Sequence, residues 1–135
     1  MKVHKCAGLL AFAALLGQDI SAAPVCNDDC QNIKQLVAVM GATMEGCDKA
    51  FPEAHGAYLN AFKGWDLLRY DIPGLTDLLA ERTPEIAQAR PQVAQGFKSS
   101  PKEEQYIQCS GYGGQLKSQN LFVPAERLAP FKRRP

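Results

Sequence analysis

The chain has 135 residues, of which 21% are charged and 46% hydrophobic, and its formal net charge at pH 7 is +1. This length suits a single domain, and a charge so close to zero gives no support to nucleic-acid binding. We therefore expect one small folded unit without a nucleic-acid partner.

The first residues have the layout of a secretory signal peptide. Lys2 and Lys5 give a positive start, and residues 6–17 form an apolar run that carries no charge. A transmembrane helix needs about 20 apolar residues, so this run is too short to anchor the chain in a membrane. Because cleavage at the tertiary amide before Pro24 is disfavoured, we expect removal of residues 1–22 and a periplasmic or secreted, extracellular protein.

The mature chain would keep 113 residues with balanced charge. Lys2, Lys5 and Asp19 would leave with the signal peptide, so equal numbers of basic and acidic residues remain. We expect a helical domain over residues 23–115 and an irregular, basic C-terminal tail over residues 116–135. The tail could contact an anionic surface, although a solvated terminus is the simpler interpretation.

Four cysteines remain after that cleavage: Cys26, Cys30, Cys47 and Cys109. An even number of cysteines in a small exported domain favours two structural disulfides. A redox pair is the alternative, but thioredoxin-like motifs have two residues between their cysteines, whereas Cys26 and Cys30 have three. A zinc site is also disfavoured, because His55 is the only histidine after the signal peptide.

The spacing of the cysteines favours one of the three possible connectivities. If residues 28–46 form one helix, Cys30 and Cys47 lie about 25 Å apart, whereas a disulfide needs Cα atoms within about 7 Å. Cys47 is then expected to pair with Cys109, closing a loop of about 62 residues worth about 4 kcal/mol. Cys26, outside the helix, is left to fold back on Cys30.

The sequence from Asn27 onward predicts a long amphipathic helix. Asn27 is a suitable N-cap, and Asp28 and Asp29 place negative charge in the first turn. Apolar side chains follow at helical spacing: Ile33, Leu36, Val37, Met40, Met44 and Cys47. A bend at Gly41 would shorten this helix and would reopen the disulfide pairings 30–47 and 26–109.

A second helix is predicted to begin at Pro52, since proline suits the first helical position, and to end before Pro73. Its apolar side chains fall on one face: Ala54, Tyr58, Ala61, Phe62, Trp65 and Leu68. We expect this aromatic stripe to form part of the core.

Two shorter helical segments are predicted next. One begins at about Leu75 and ends at about Glu81. The other begins at Pro84, after Thr83, which repeats the signal of a cap followed by proline. Pro91 is expected to kink or divide this second segment, because proline removes a hydrogen bond from a helix interior.

The next helix is predicted to begin with a capping box formed by Ser100 and Glu103, and it includes Cys109. Three glycines are then expected to break regular structure: Gly111, Gly113 and Gly114. One helical turn could follow Pro124. The predicted fold class is all-α, an irregular bundle of four or five helices stapled by two disulfides.

Met40, Met44 and Cys47 share one face of the first predicted helix, and with His55 they could form a soft-metal site. The structural interpretation is simpler, because methionines four residues apart commonly fill gaps in a core.

Three carboxylates near the second predicted helix could supply a glycosidase-like pair: Asp66, Asp71 and Asp77. Surface faces of helices are ordinarily charged, so solvation is the simpler interpretation.

No catalytic, cofactor-binding or metal-ligating residue is predicted, and the only assigned site residues are the four disulfide cysteines. The loop at residues 111–114 lacks the Lys-Ser/Thr ending of a phosphate-binding loop. The expected function is that of an exported, non-enzymatic helical protein that binds or inhibits a macromolecule, either a protein or an envelope polymer. The alternatives are a small hydrolase that uses the carboxylates and a soft-metal carrier.

Overall fold

A computed structural model describes residues 26–135, so the predicted signal peptide lies outside the described residues. The described part contains six α-helices: α1 (Asp28–Ala50), α2 (Ala57–Lys63), α3 (Leu75–Leu79), α4 (Pro84–Ser99), α5 (Lys102–Lys117) and α6 (Ala125–Leu128). Two short 3-10 helices span Pro52–Ala54 and Asp66–Arg69. The predicted all-α bundle is confirmed.

The long first helix is confirmed as one continuous element of 23 residues. The Asn27 side chain caps it by accepting a hydrogen bond of 2.9 Å from the backbone N–H of Cys30. Its buried face includes Ile33, Val37 and Met44. Helix α1 contacts α2, α3, α4 and α5, so it is the central element on which the bundle is assembled.

Gly41 does not break α1, and its role is in packing. The ring of Phe62 lies against it so closely that a Cβ atom added at Gly41 would be 3.0 Å from Phe62 Cζ. Phe62 is itself buried. The absence of a side chain at Gly41 therefore allows α2 to approach α1, which stabilises the core without bending the helix.

The second predicted helix is wrong as a continuous element, because the chain forms a 3-10 helix, α2 and another 3-10 helix there. Asp48 of α1 accepts hydrogen bonds from the backbone N–H groups of Tyr58 (3.1 Å) and Leu59 (3.0 Å), and so satisfies the first turn of α2. Beyond α2, the indole of Trp65 donates a hydrogen bond of 2.8 Å to the backbone oxygen of Asn120. These bonds hold the separated pieces in place, and the interruptions themselves fall at Gly56, which has φ 79°, and at Gly64, which ends α2.

Helix α4 is not divided at Pro91, which lies inside it. The predicted capping box is wrong: Pro101 precedes the first residue of α5, and the Ser100 hydroxyl donates to the backbone oxygen of Gly96 at 2.9 Å. The side-chain amide of Gln105 bridges the two helices by donating to the backbone oxygens of Phe97 and Ser100.

The predicted glycine break is also wrong, since α5 continues through all three glycines to Lys117. Gly113 is buried, and a Cβ atom there would be 3.3 Å from the ring of Tyr58. Leu116 follows on the buried face. The low intrinsic helix propensity of glycine is thus overcome by the close packing of α5 against α2 that it permits.

The chain returns after α6 to the second 3-10 helix. The backbone N–H of Asp71 donates to Lys132 (2.8 Å), and that of Arg134 donates to Arg69 (2.8 Å). We call residues 132–134 the C-terminal strap. Within residues 26–135, no helix is both long and apolar enough to cross a membrane.

Candidate functional site

The two predicted disulfides are confirmed. Cys26 and Cys30 are bonded with Cα atoms 5.1 Å apart, and Cys47 and Cys109 are bonded with Cα atoms 5.8 Å apart. The first bridge closes the turn at the start of α1, whereas the second joins the end of α1 to the middle of α5. Cys30, Cys47 and Cys109 are completely buried.

The side chains considered for a soft-metal site have different environments. Met40 and Met44 are buried in the core, and Cys47 is in a disulfide. His55 is exposed on the surface, with a left-handed backbone (φ 53°) at the end of the first 3-10 helix. Over residues 26–135, no three or more His, Cys, Asp or Glu side chains cluster in a way that could hold a metal ion.

Each of the three carboxylates considered for hydrolysis pairs with an arginine. Asp66 accepts hydrogen bonds from Arg133 Nη2 (2.6 Å) and Nε (3.0 Å). Asp71 lies 3.1 Å from Arg134, and Asp77 lies 2.8 Å from Arg82.

The pairing of Asp66 runs against a role as catalytic acid. Its hydrogen bonds to Arg133, with the charges of Arg133 and Arg69, outweigh desolvation and hold the pKa of Asp66 below its usual value. A glycosidase acid needs the opposite shift. The ion pairs of Asp66 with Arg133 and of Asp71 with Arg134 occupy two cations of the C-terminal tail, the segment that the sequence suggested could contact an anionic surface.

The largest exposed apolar side chains near the long disulfide lie on α5. Ile107 is 70% exposed and Tyr106 is 57% exposed. With Phe51, Lys102 and Glu103 they line a shallow hollow of about 370 Å³. We call these five residues the α5 patch.

Aromatic and cationic contacts organise the α5 patch. The ring of Tyr106 meets the ring of Phe51 edge-on, with centroids 5.7 Å apart. Lys102 Nζ lies 4.7 Å from the centroid of the Phe51 ring and donates a hydrogen bond of 2.7 Å to the backbone oxygen of Ala50. Each contact joins α5 to the end of α1, so the patch is formed by two elements rather than one helix.

The long disulfide fixes the position of those two elements. Phe51 donates its backbone N–H to the oxygen of Cys47 at 2.9 Å, one turn from the bridge. Cys109 lies two residues beyond Ile107 on α5. Phe51, Tyr106 and Ile107 are therefore each within about one helical turn of a bridged cysteine, whereas Lys102 and Glu103 lie about two turns from Cys109.

The exposure of Ile107 was not predicted, although the sequence contains a signal for it. Residues two apart on a helix are about 200° apart around its axis. Because Cys109 must face the core to pair with Cys47, Ile107 must face away from it. The disulfide prediction thus implied an apolar side chain on the outer face of α5.

Comparison of the chain with protein-family models, with curated proteins and with solved structures gave no match.

Proposed function

We propose that the mature chain is an exported, non-enzymatic protein that binds another protein through the α5 patch. The observation that carries the proposal is the exposure of Tyr106 and Ile107 on a surface fixed by the Cys47–Cys109 bridge. Contiguous exposed apolar surface with a polar rim is typical of interaction sites, and Tyr106 and Ile107 line one hollow together with Lys102 and Glu103. Two disulfides in a small domain favour an oxidising compartment, which agrees with export.

The composition of the α5 patch suits recognition of a protein. Tyrosine offers a large, stiff contact surface and is enriched at interface centres. Lys102 and Glu103 supply both signs of charge at the edge of the patch, and exposed Glu104 lies next to them on α5. A mixed rim of this kind favours a protein surface over a uniformly charged polymer.

Rigidity supports the same proposal. Ordering of side chains and loops at an interface costs about 0.5–1.5 kcal/mol for each immobilised flexible side chain. In the α5 patch, Tyr106 already packs on Phe51, which is buried, and Lys102 is held by Phe51 and Ala50. A partner would meet a surface that is largely organised before binding.

The test is capture of partners from the envelope or culture fluid of the source cells with the oxidised mature protein as bait. Ile107→Asp should abolish capture of the specific partner, since it places a charge in the apolar centre of the patch. Leu79→Ser is the control for loss of an exposed apolar side chain elsewhere, because Leu79 is 39% exposed but lies outside the α5 patch.

Three results would contradict the proposal. Equal capture by Ile107→Asp and the wild type would show that binding occurs elsewhere. Loss of capture in Leu79→Ser alone would point to another surface. Concentration-dependent dimerisation that Ile107→Asp abolishes, observed by sedimentation without any captured protein, would assign the α5 patch to a second copy of this chain.

A further inference from the structure

A cleft of about 430 Å³ lies between α1, α2, α3 and α4 and shares no lining residue with the α5 patch. Much of its wall is apolar: Leu59, Phe62, Leu68, Leu78, Leu79 and Ile86. Leu78 and Phe62 are buried, whereas Leu79 is 39% exposed, so part of this wall is open to water. Mostly apolar clefts of about 300–1,000 Å³ with a few polar groups are the usual form of small-molecule sites.

Charged side chains also line this cleft, and Arg90 contacts two of them. Its Nη2 donates to Glu45 at 3.5 Å and to Glu81. A guanidinium has five N–H donors, and Nε and Nη1 of Arg90 make no hydrogen bond to another residue of the described chain. Lys63, a further lining residue, is exposed and has no ion pair within residues 26–135.

The backbone at Glu81 is a second feature of the cleft. Glu81 has φ 63°, a left-handed conformation that favours glycine and that other residues adopt at a cost. Its N–H donates to the oxygen of Leu78 at 2.9 Å and so closes the end of α3. A glutamate at this position places its carboxylate on Arg90, which holds the guanidinium at the cleft.

We propose that the cleft binds a small amphipathic carboxylate, namely a medium-chain aliphatic acid. Both acidic side chains of the cleft already contact Arg90, so the donors that remain belong to cations, Arg90 and Lys63. These donors complement an anionic head group, and hydrogen bonds between ionised groups are about twice as strong as neutral ones. The aliphatic body would cover apolar wall that water now contacts.

The direct test is an NMR titration of the oxidised mature chain with octanoate, 1-octanol and octylammonium. We expect octanoate to shift the resonances of Phe62, Leu79 and Ile86, and 1-octanol to bind about tenfold more weakly or worse, because it lacks the charge. Binding of the alcohol or the ammonium as tightly as octanoate would overturn the proposal. So would the absence of octanoate shifts at these three residues.

Two substitutions test the role of charge. Arg90→Gln leaves Glu81 without its cation and leaves Glu45 with Lys49 alone, so it should weaken octanoate binding about tenfold or more and strengthen octylammonium binding. Lys63→Gln removes an exposed cation that has no described ion pair, and should weaken octanoate binding severalfold. Lys117→Gln, exposed on α5 and outside the cleft, is the matched control. Unchanged octanoate binding in both cleft variants would contradict the proposal.

The cleft and the α5 patch can be tested independently. Ile107→Asp should leave octanoate binding unchanged, and Arg90→Gln should leave protein capture unchanged. Loss of octanoate binding in Ile107→Asp would place the carboxylate site on α5 and overturn the assignment to the cleft.

Discussion

The α5 patch and the C-terminal strap are held in place by different physical means. A buried covalent bridge fixes the two elements of the patch, whereas the strap is held by backbone hydrogen bonds and by ion pairs at the surface. A disulfide is insensitive to moderate pH and salt, while surface ion pairs weaken with both acid and salt. The surface proposed to bind a partner is therefore the one whose geometry should change least with solution conditions.

Breaking the long disulfide, which holds the α5 patch, should lower the stability of the protein more than any other change proposed below. We expect Cys109→Ala to lower the free energy of unfolding by about 2–5 kcal/mol, because the unfolded chain regains the freedom of a 62-residue loop. Denaturant unfolding of the oxidised protein measures it. A variant with alanine at both Cys47 and Cys109 controls for the free thiol. A smaller loss than that caused by Cys26→Ala would show that loop length does not set the contribution of each bridge.

The prediction of this disulfide from sequence worked because it depended on one rigid element. The rise of α1 excludes a bond between Cys30 and Cys47 whatever surrounds the helix, and only its continuity at Gly41 had to hold. The prediction of one continuous helix after Pro52 was wrong because no single rigid element spans that segment. Its division falls at Gly56, which has φ 79°, and at Gly64, which ends α2, and the groups that hold the separated pieces, Asp48 and Asn120, lie outside the aromatic segment.

The candidate surfaces were harder to predict than the fold. Helical spacing correctly placed Val37 and Met44 in the core, and solvation at the surface accounts for Asp77. The cleft beside Arg90 requires knowledge of how α3 and α4 approach α1, which amphipathic patterns do not specify. The left-handed backbone of Glu81 could not be predicted either, because glutamate is not among the residue types enriched in that conformation.

Breaking the short disulfide should have a smaller effect and should leave the α5 patch intact. We expect Cys26→Ala to lower the free energy of unfolding by about 2 kcal/mol or less, because the loop from Cys26 to Cys30 is so short. The Asn27 cap does not depend on the bridge, so amide exchange at Cys30 should remain slow. Fast exchange over the first turn of α1 would show that the disulfide, rather than the cap, sets the start of the helix.

Acid should release the C-terminal strap with the smallest effect on global stability. The pKa of Asp66 is lowered in the folded protein, chiefly by its hydrogen bonds to Arg133, so the ionised carboxylate favours folding. This contribution is complete above the unfolded pKa of about 3.9 and is lost as the pH falls through the lower folded value. Amide protection at Asp71 and Arg134 should therefore decrease below about pH 4, while protection around Cys109 persists.

Asp66→Asn is the matched variant for this acid effect, since it removes the charge at every pH while keeping a side chain of similar size. At neutral pH its strap amides, measured by hydrogen exchange, should already show the reduced protection that the wild type reaches only in acid. The backbone bonds from Asp71 to Lys132 and from Arg134 to Arg69 are common to both proteins, so the difference reports the charge of Asp66 and its ion pairs with Arg133 and Arg69. If both proteins lose strap protection at the same pH, another group controls the strap, and the contrast with the covalent α5 patch does not depend on Asp66.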